Sequence, residues 1–220
     1  MIGFAKRNLK LFFRDKTAVF FSLLAVFIII GLYALFLGDV WSENYKDAPG
    51  VRFLMDSWIM SGLLAVTSVT TTLGAFGVMV DDKTKKISKD FISSPLKRSS
   101  ITGGYILAAF LIGIIMSVVT LILAEIYIVA YGGQLLTPMQ LLQVLGLIVL
   151  STFMNTALGF FLVSFFDSAS AFSTASSILG TLIGFLTGIY LPVGQLTEPV
   201  QYVIKVFPVS HSALLLRRGM

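Results

Sequence analysis

The chain has 220 residues, of which 56% are hydrophobic and 12% charged, with a formal net charge of +5 and no cysteine. Soluble domains carry about a quarter charged residues, so the composition excludes an ordinary soluble fold and indicates an all-α integral membrane protein. Without cysteine there is no disulfide framework, thiol nucleophile or thiolate metal site, and the positive balance reads as a topology signal with no nucleic-acid partner.

Residues 2–14 place Phe4, Ala5, Leu9, Leu11, Phe12 and Phe13 on one helical arc, with Lys6, Arg7, Lys10 and Arg14 on the opposite one. That pattern predicts an amphipathic helix lying in the headgroup layer over about 2–16. A cleavable signal peptide competes. The apolar run that follows is longer than a signal core, however, and no small-residue cleavage site ends it, so 18–38 is the first span.

Residues 39–56 form a polar loop with four acids and two bases, flanked by Trp41 and Trp58. Interfacial tryptophans and few bases mark the outer side of a membrane. The second span, 57–80, leads into a charged island, 81–100, that carries Lys83, Lys85, Lys86, Lys89, Lys97 and Arg98 against three acids. Five bases precede the first span and six lie in the island, against two in the first outer loop and none in 131–137, so the amino terminus is expected in the cytoplasm. Within the island, 84–92 reads as a short helix stopped by Ser93-Ser94-Pro95, since the residue before proline avoids helical backbone.

The third span is expected over 101–130, after Ser99 and Ser100 as helix caps. The fourth, 138–166, opens on Thr137 as cap, Pro138 at the first helical position and Gln140 completing a capping box. Asp167-Ser168 turns tightly into the fifth span, 169–192; no basic residue marks that turn, and its side rests on counting spans. In the fifth span Ser176, Gly180, Gly184 and Gly188 fall four apart and line one face, which predicts close packing and a helix buried in protein. Residues 193–218 hold Gly194, Pro199, Lys205, Pro208, His211, Arg217 and Arg218 on an apolar background. Two readings stay open: a kinked sixth span over 200–216, or two short helices, 198–207 and 209–218, that dip into the outer leaflet and return.

The amphipathic start, the island ending in FISSPLKRSS, and GIYLPVGQL followed by FPVSHSALLLRR together resemble the permease subunits of type 2 ATP-binding-cassette exporters. The resemblance covers essentially the whole chain and implies a multi-pass protein of the cytoplasmic membrane. It also implies the re-entrant reading of 193–218 and a sixth span, which is missing from a chain that stops at Met220. It further implies that 84–92 is a coupling helix docking on a separate ATP-binding subunit, with Ile87 and Phe91 as apolar anchors and Lys85, Lys86, Lys89 and Asp90 as a polar rim. A second permease chain, the same or different, would complete a pathway lined by the first, second and fifth spans. The cargo implied is an amphipathic, drug-like or lipid-linked molecule. ATP and Mg would be used by the partner, since this chain carries no GxxxxGK[ST] loop and is expected to bind no cofactor.

Thr67 and Thr71 in the second span and Asn155 in the fourth are possible pathway groups, although such side chains more often bond their own backbone or a neighbouring helix. With one histidine, no cysteine and no paired carboxylates in the spans, neither catalytic nor metal residues can be assembled, which argues against an enzyme. An ion-coupled carrier would need an ionisable group near the membrane midplane, where a charge costs at least about 3 kcal/mol. Glu125 is the sole candidate, and it lies about 36 Å along the helix from residue 101, near the outer surface. A non-transporting immunity or sensor protein is a further alternative on the same scaffold.

Overall fold

A computed structural model describes residues 1–37, 51–93, 96–189 and 193–220, and every regular element among them is helical. Five helices are long and apolar enough to cross a membrane. Trp41, the Ser94-Pro95 stop and the Leu191-Pro192 end of the fifth span lie outside the described residues.

Helix α1 (Ile2–Arg14) buries a narrow stripe of Ala5, Asn8 and Phe12, at helical spacing, and leaves Leu11 and Phe13 exposed. Asp15 ends it and starts α2 (Lys16–Leu32) by accepting a hydrogen bond from the Ala18 amide at 2.9 Å. A π-helical turn, Tyr33–Leu37, follows.

The central element is α3 (Val51–Thr84), whose Met60, Leu63, Leu64, Phe76 and Val80 are fully buried. It overruns the expected 57–80 at both ends. Arg52 and Asp56, 3.9 Å apart across one turn, neutralise each other at the start, and Asp82 is bonded within the bundle at the finish. The helix therefore need not stop where charges begin. The island's short helix is correspondingly displaced from 84–92 to α4 (Ile87–Ser93), after a break at Lys86, whose φ is 62°.

Helix α5 (Arg98–Ala130) starts at Lys97 with no side-chain cap, so Ser99 and Ser100 sit inside its first turn rather than capping it. In α6 (Pro138–Val163) the expected capping box is present: Thr137 Oγ1 accepts from the Gln140 amide at 3.4 Å, and Gln140 Oε1 accepts from the Thr137 amide at 2.9 Å. Helix α6 ends at Val163, three residues early, and α7 (Ala169–Leu186) also stops short of 192.

Successive long helices alternate in direction. The Tyr131 hydroxyl, beyond the end of α5, donates to the Ala34 carbonyl in the π-helical turn after α2, and Trp58 Nε1 donates to the Gly188 carbonyl past the end of α7. Then come α8 (Glu198–Val206) and α9 (Pro208–Gly219), each with proline in its first turn. Val209 packs with Val66, Val69 and Leu73 halfway along α3, while Arg217 returns to Trp58. The pair thus reaches the middle of α3 and comes back, as two short helices in place of one continuous helix over 200–216.

At Gly113 of α5 an added Cβ would lie 2.5 Å from Thr152 Cγ2 and 2.6 Å from Thr72 Cγ2, so α3, α5 and α6 meet there with no spare volume. Gly113→Val is expected to cost about 1–3 kcal/mol through overpacking, seen as a lower unfolding midpoint in detergent; an unchanged midpoint would show that the seam can open.

Candidate functional site: the charged end of the bundle

The charged island and α1 converge on Asp82, which is only 4% exposed. Arg7 grips it with two hydrogen bonds, Nη1 to Oδ2 at 2.8 Å and Nη2 to Oδ1 at 3.1 Å. The Tyr105 hydroxyl of α5 donates to the same Oδ2. A carboxylate in this fork satisfies most of its lone pairs, which is what makes its burial tolerable. The hydrogen bonds to Asp82 in turn hold the Arg7 proton more tightly than usual.

Aromatic packing extends the knot. Phe4 meets Phe91 of α4 edge-on at 5.0 Å between centroids and Tyr105 at 4.9 Å, and the Arg7 guanidinium lies 4.9 Å from the Phe91 centroid. Gly104 lets α1 approach: a Cβ there would sit 2.8 Å from Phe4 Cδ1 and 3.3 Å from the Met1 carbonyl. One arginine therefore ties α1 to the end of α3 and to α4 together.

The expected docking residues divide into two sets. Lys85, Lys86, Lys89 and Asp90 are exposed, as a rim open to a partner must be. Phe91 is half-buried and turned to Phe4 and Arg7, so it braces α4 from behind, and Ile87 is half-buried as well. The turn 164–168 lies at the same end, because Lys83 Nζ donates to the Phe166 carbonyl at 3.3 Å and Thr84 Oγ1 to the Asp167 carbonyl at 3.3 Å. Counting spans puts that turn on the side of the charged island, but no residue in the sequence marks the contact with Lys83 and Thr84. Nor was the Arg7–Asp82–Tyr105 contact foreseen; its only trace was the acid pair Asp81-Asp82 just past an apolar run.

Thr67, Thr71 and Asn155 are buried between helices. Thr67 and Thr71 donate to backbone carbonyls one turn back, Leu63 and Thr67, at 2.9 and 2.6 Å, and Asn155 Nδ2 donates to Ser68 Oγ across α3 and α6. They form an interhelical seam. The open surface instead lies between α1, α2, α3 and α7, a groove of about 500 Å³ lined by Leu11, Phe12, Gly74, Gly77, Ser173 and Ser176. Along α7, Gly184 is buried but Gly180 has no atom within 4 Å of an added Cβ, and Gly188 lies past the helix with φ 67°. Those four residues do not form one packed stripe, and α7 is largely uncovered in the single chain. Glu125 is at the far end, accepting from the Leu136 amide at 3.2 Å.

A family model described as ABC-2 family transporter protein matches residues 42–218. Neither a curated protein nor a solved structure matches the chain.

Proposed function

Because the chain belongs to the ABC-2 family of transporter proteins, and so is the membrane-spanning permease of an ABC transporter that associates with an ATP-binding subunit, we propose that it is the permease of an ATP-driven exporter. In this reading the amino terminus and the charged island face the cytoplasm, and α4 is the handle that the ATP-binding subunit moves. The observation that carries it is the exposed rim of Lys85, Lys86, Lys89 and Asp90 on a helix braced from behind by Phe91, Phe4 and Arg7. A push on a helix so braced is transmitted to α1, α3 and α5 at once. Hydrolysis of ATP with Mg takes place on the partner.

The hydroxyl- and glycine-lined groove along α2, α3 and α7 supports a lateral entry for an amphipathic, drug-like or lipid-linked cargo. The uncovered faces of α2 and α7 fit a second permease chain, identical or related. The test is charge reversal at the rim. Lys86→Glu with Lys89→Glu is expected to lower co-purification of the ATP-binding subunit at least about tenfold, a loss of roughly 1.4 kcal/mol, while the isolated chain keeps its unfolding midpoint. Full retention of the subunit and of ATP-dependent transport by that variant would refute the docking role.

A further inference from the structure

We propose that the pocket between α3, the end of α7 and the α8–α9 hairpin binds the anionic headgroup of an acyl-chain amphiphile. The inference goes beyond the exporter reading and rests on it only in taking this end of the bundle as the outer one.

Arg217 is the anchor. Its guanidinium stacks on Trp58, 3.7 Å from the ring centroid, while Nη2 donates to the Thr187 carbonyl at 2.7 Å and Nε to the Trp58 carbonyl at 3.4 Å. These partners are dipoles and a π face. Among the described residues no carboxylate bonds Arg217. From Val209, which packs halfway along α3, to Arg217 the helical rise amounts to about 12 Å, so the guanidinium lies within the depth of a single leaflet. A cation at such depth is retained mainly where something uses it.

Two more basic side chains line the same pocket of about 260 Å³, Lys205 and His211. Lys205 lies 5.2 Å from the Tyr202 ring centroid and, among the described residues, makes no ion pair. His211 Nε2 bonds the Lys205 carbonyl at 2.9 Å, so that nitrogen carries the proton, and the ring is exposed. Among the described residues no Asp or Glu lines the pocket, whereas Trp58, Ile204 and Leu214 do. Capping the carbonyls past α7 would explain Arg217 alone. It does not explain the second cation, Lys205, that lines the same pocket beside its apolar walls.

A phosphate or carboxylate headgroup brings a full negative charge to Arg217 and Lys205 through charge-assisted hydrogen bonds. The apolar walls take up the first methylenes of its chain. A soluble anion would lose its hydration for the same contacts and gain nothing from those walls.

The chain has two tryptophans, Trp41 and Trp58, so Trp41→Phe leaves Trp58 as sole fluorescent reporter inside the pocket. The full chain carrying that change is placed in phosphatidylcholine nanodiscs doped with brominated phosphatidylglycerol or brominated phosphatidylcholine. The anionic lipid is expected to quench Trp58 at about tenfold lower mole fraction than the zwitterionic one, as charged hydrogen bonds imply. Arg217→Gln should abolish the preference. Because that variant also removes contacts to the end of α7 and can fail to fold, Lys205→Gln, at an exposed side chain, is decisive and should reduce the preference severalfold.

Equal quenching by both lipids would overturn the proposal, as would an unchanged preference in Lys205→Gln. Relief of quenching by a large excess of inorganic phosphate would make this a soluble-anion site and overturn the amphiphile. No nucleotide or ATP-binding subunit enters the measurement, so its outcome is separate from that of the exporter reading.

Discussion

Asp82→Asn is expected to release α1 from the bundle. Asp82 is buried and accepts from both Arg7 and Tyr105. Asparagine keeps one acceptor but presents an amide donor to groups that are themselves donors. Hydrogen bonds to charged groups contribute about 1.5–3 kcal/mol each, most of all when their loss strands a buried partner. Arg7 is 33% exposed and can recover some hydration, which holds the net cost to about 2 kcal/mol. The unfolding midpoint in detergent should fall, and trypsin should cut at Lys6, Arg7 or Lys10 sooner than in the parent chain.

The sharper measurement is a double-mutant cycle. Once Arg7→Gln has been made, adding Asp82→Asn should cost little, giving a coupling of about 1–2 kcal/mol. Strict additivity would mean that the pair contributes nothing specific and that α1 is held by its packing, through Phe4, Ala5, Asn8 and Phe12.

Phe91→Asp is expected to uncouple ATP hydrolysis from transport. The ring packs edge-on against Phe4 and lies under the Arg7 guanidinium. Contacts of these kinds contribute about 0.5–1.5 kcal/mol each beyond area burial. An aspartate there removes both and sets a second carboxylate competing with Asp82 for Arg7. Helix α4 then loses its brace, co-purification of the ATP-binding subunit weakens, and ATP-driven transport should fall at least about tenfold.

The proteolysis assay separates brace from rim. Phe91→Asp should expose α1 to trypsin, whereas Lys86→Glu with Lys89→Glu should leave α1 protected and lose only the partner. If Phe91→Asp transports normally, α4 is a passive loop and the braced-handle mechanism fails.

Much of the architecture was legible because it rests on local rules. Five apolar runs of span length appear as five helices. The Thr137-Pro138-Gln140 start is a short-range hydrogen-bond pattern that needs no tertiary partner, and the two short helices of 193–218 follow from proline, which presets the first helical turn at Pro199 and Pro208. What failed locally failed at charges and glycines. Helix α3 runs through Asp81 and Asp82, since the counterion for Asp82 comes from a residue 75 positions earlier. Gly188 fits the small-residue spacing in sequence but serves the exit from α7 with a positive φ.

The sequence by itself determined which segments are apolar enough to cross, where several helices begin, and that the islands between them are charged; these depend on transfer free energy and backbone preference, which neighbours along the chain decide. Only the tertiary structure decided where each charge is spent. Arg7 goes to Asp82 and Phe91, Lys83 to the turn at Asp167, and Arg217 to Trp58 at the far end of the bundle. A charge in a low-dielectric interior is governed by the partner within a few ångströms, and chain order does not reveal that partner.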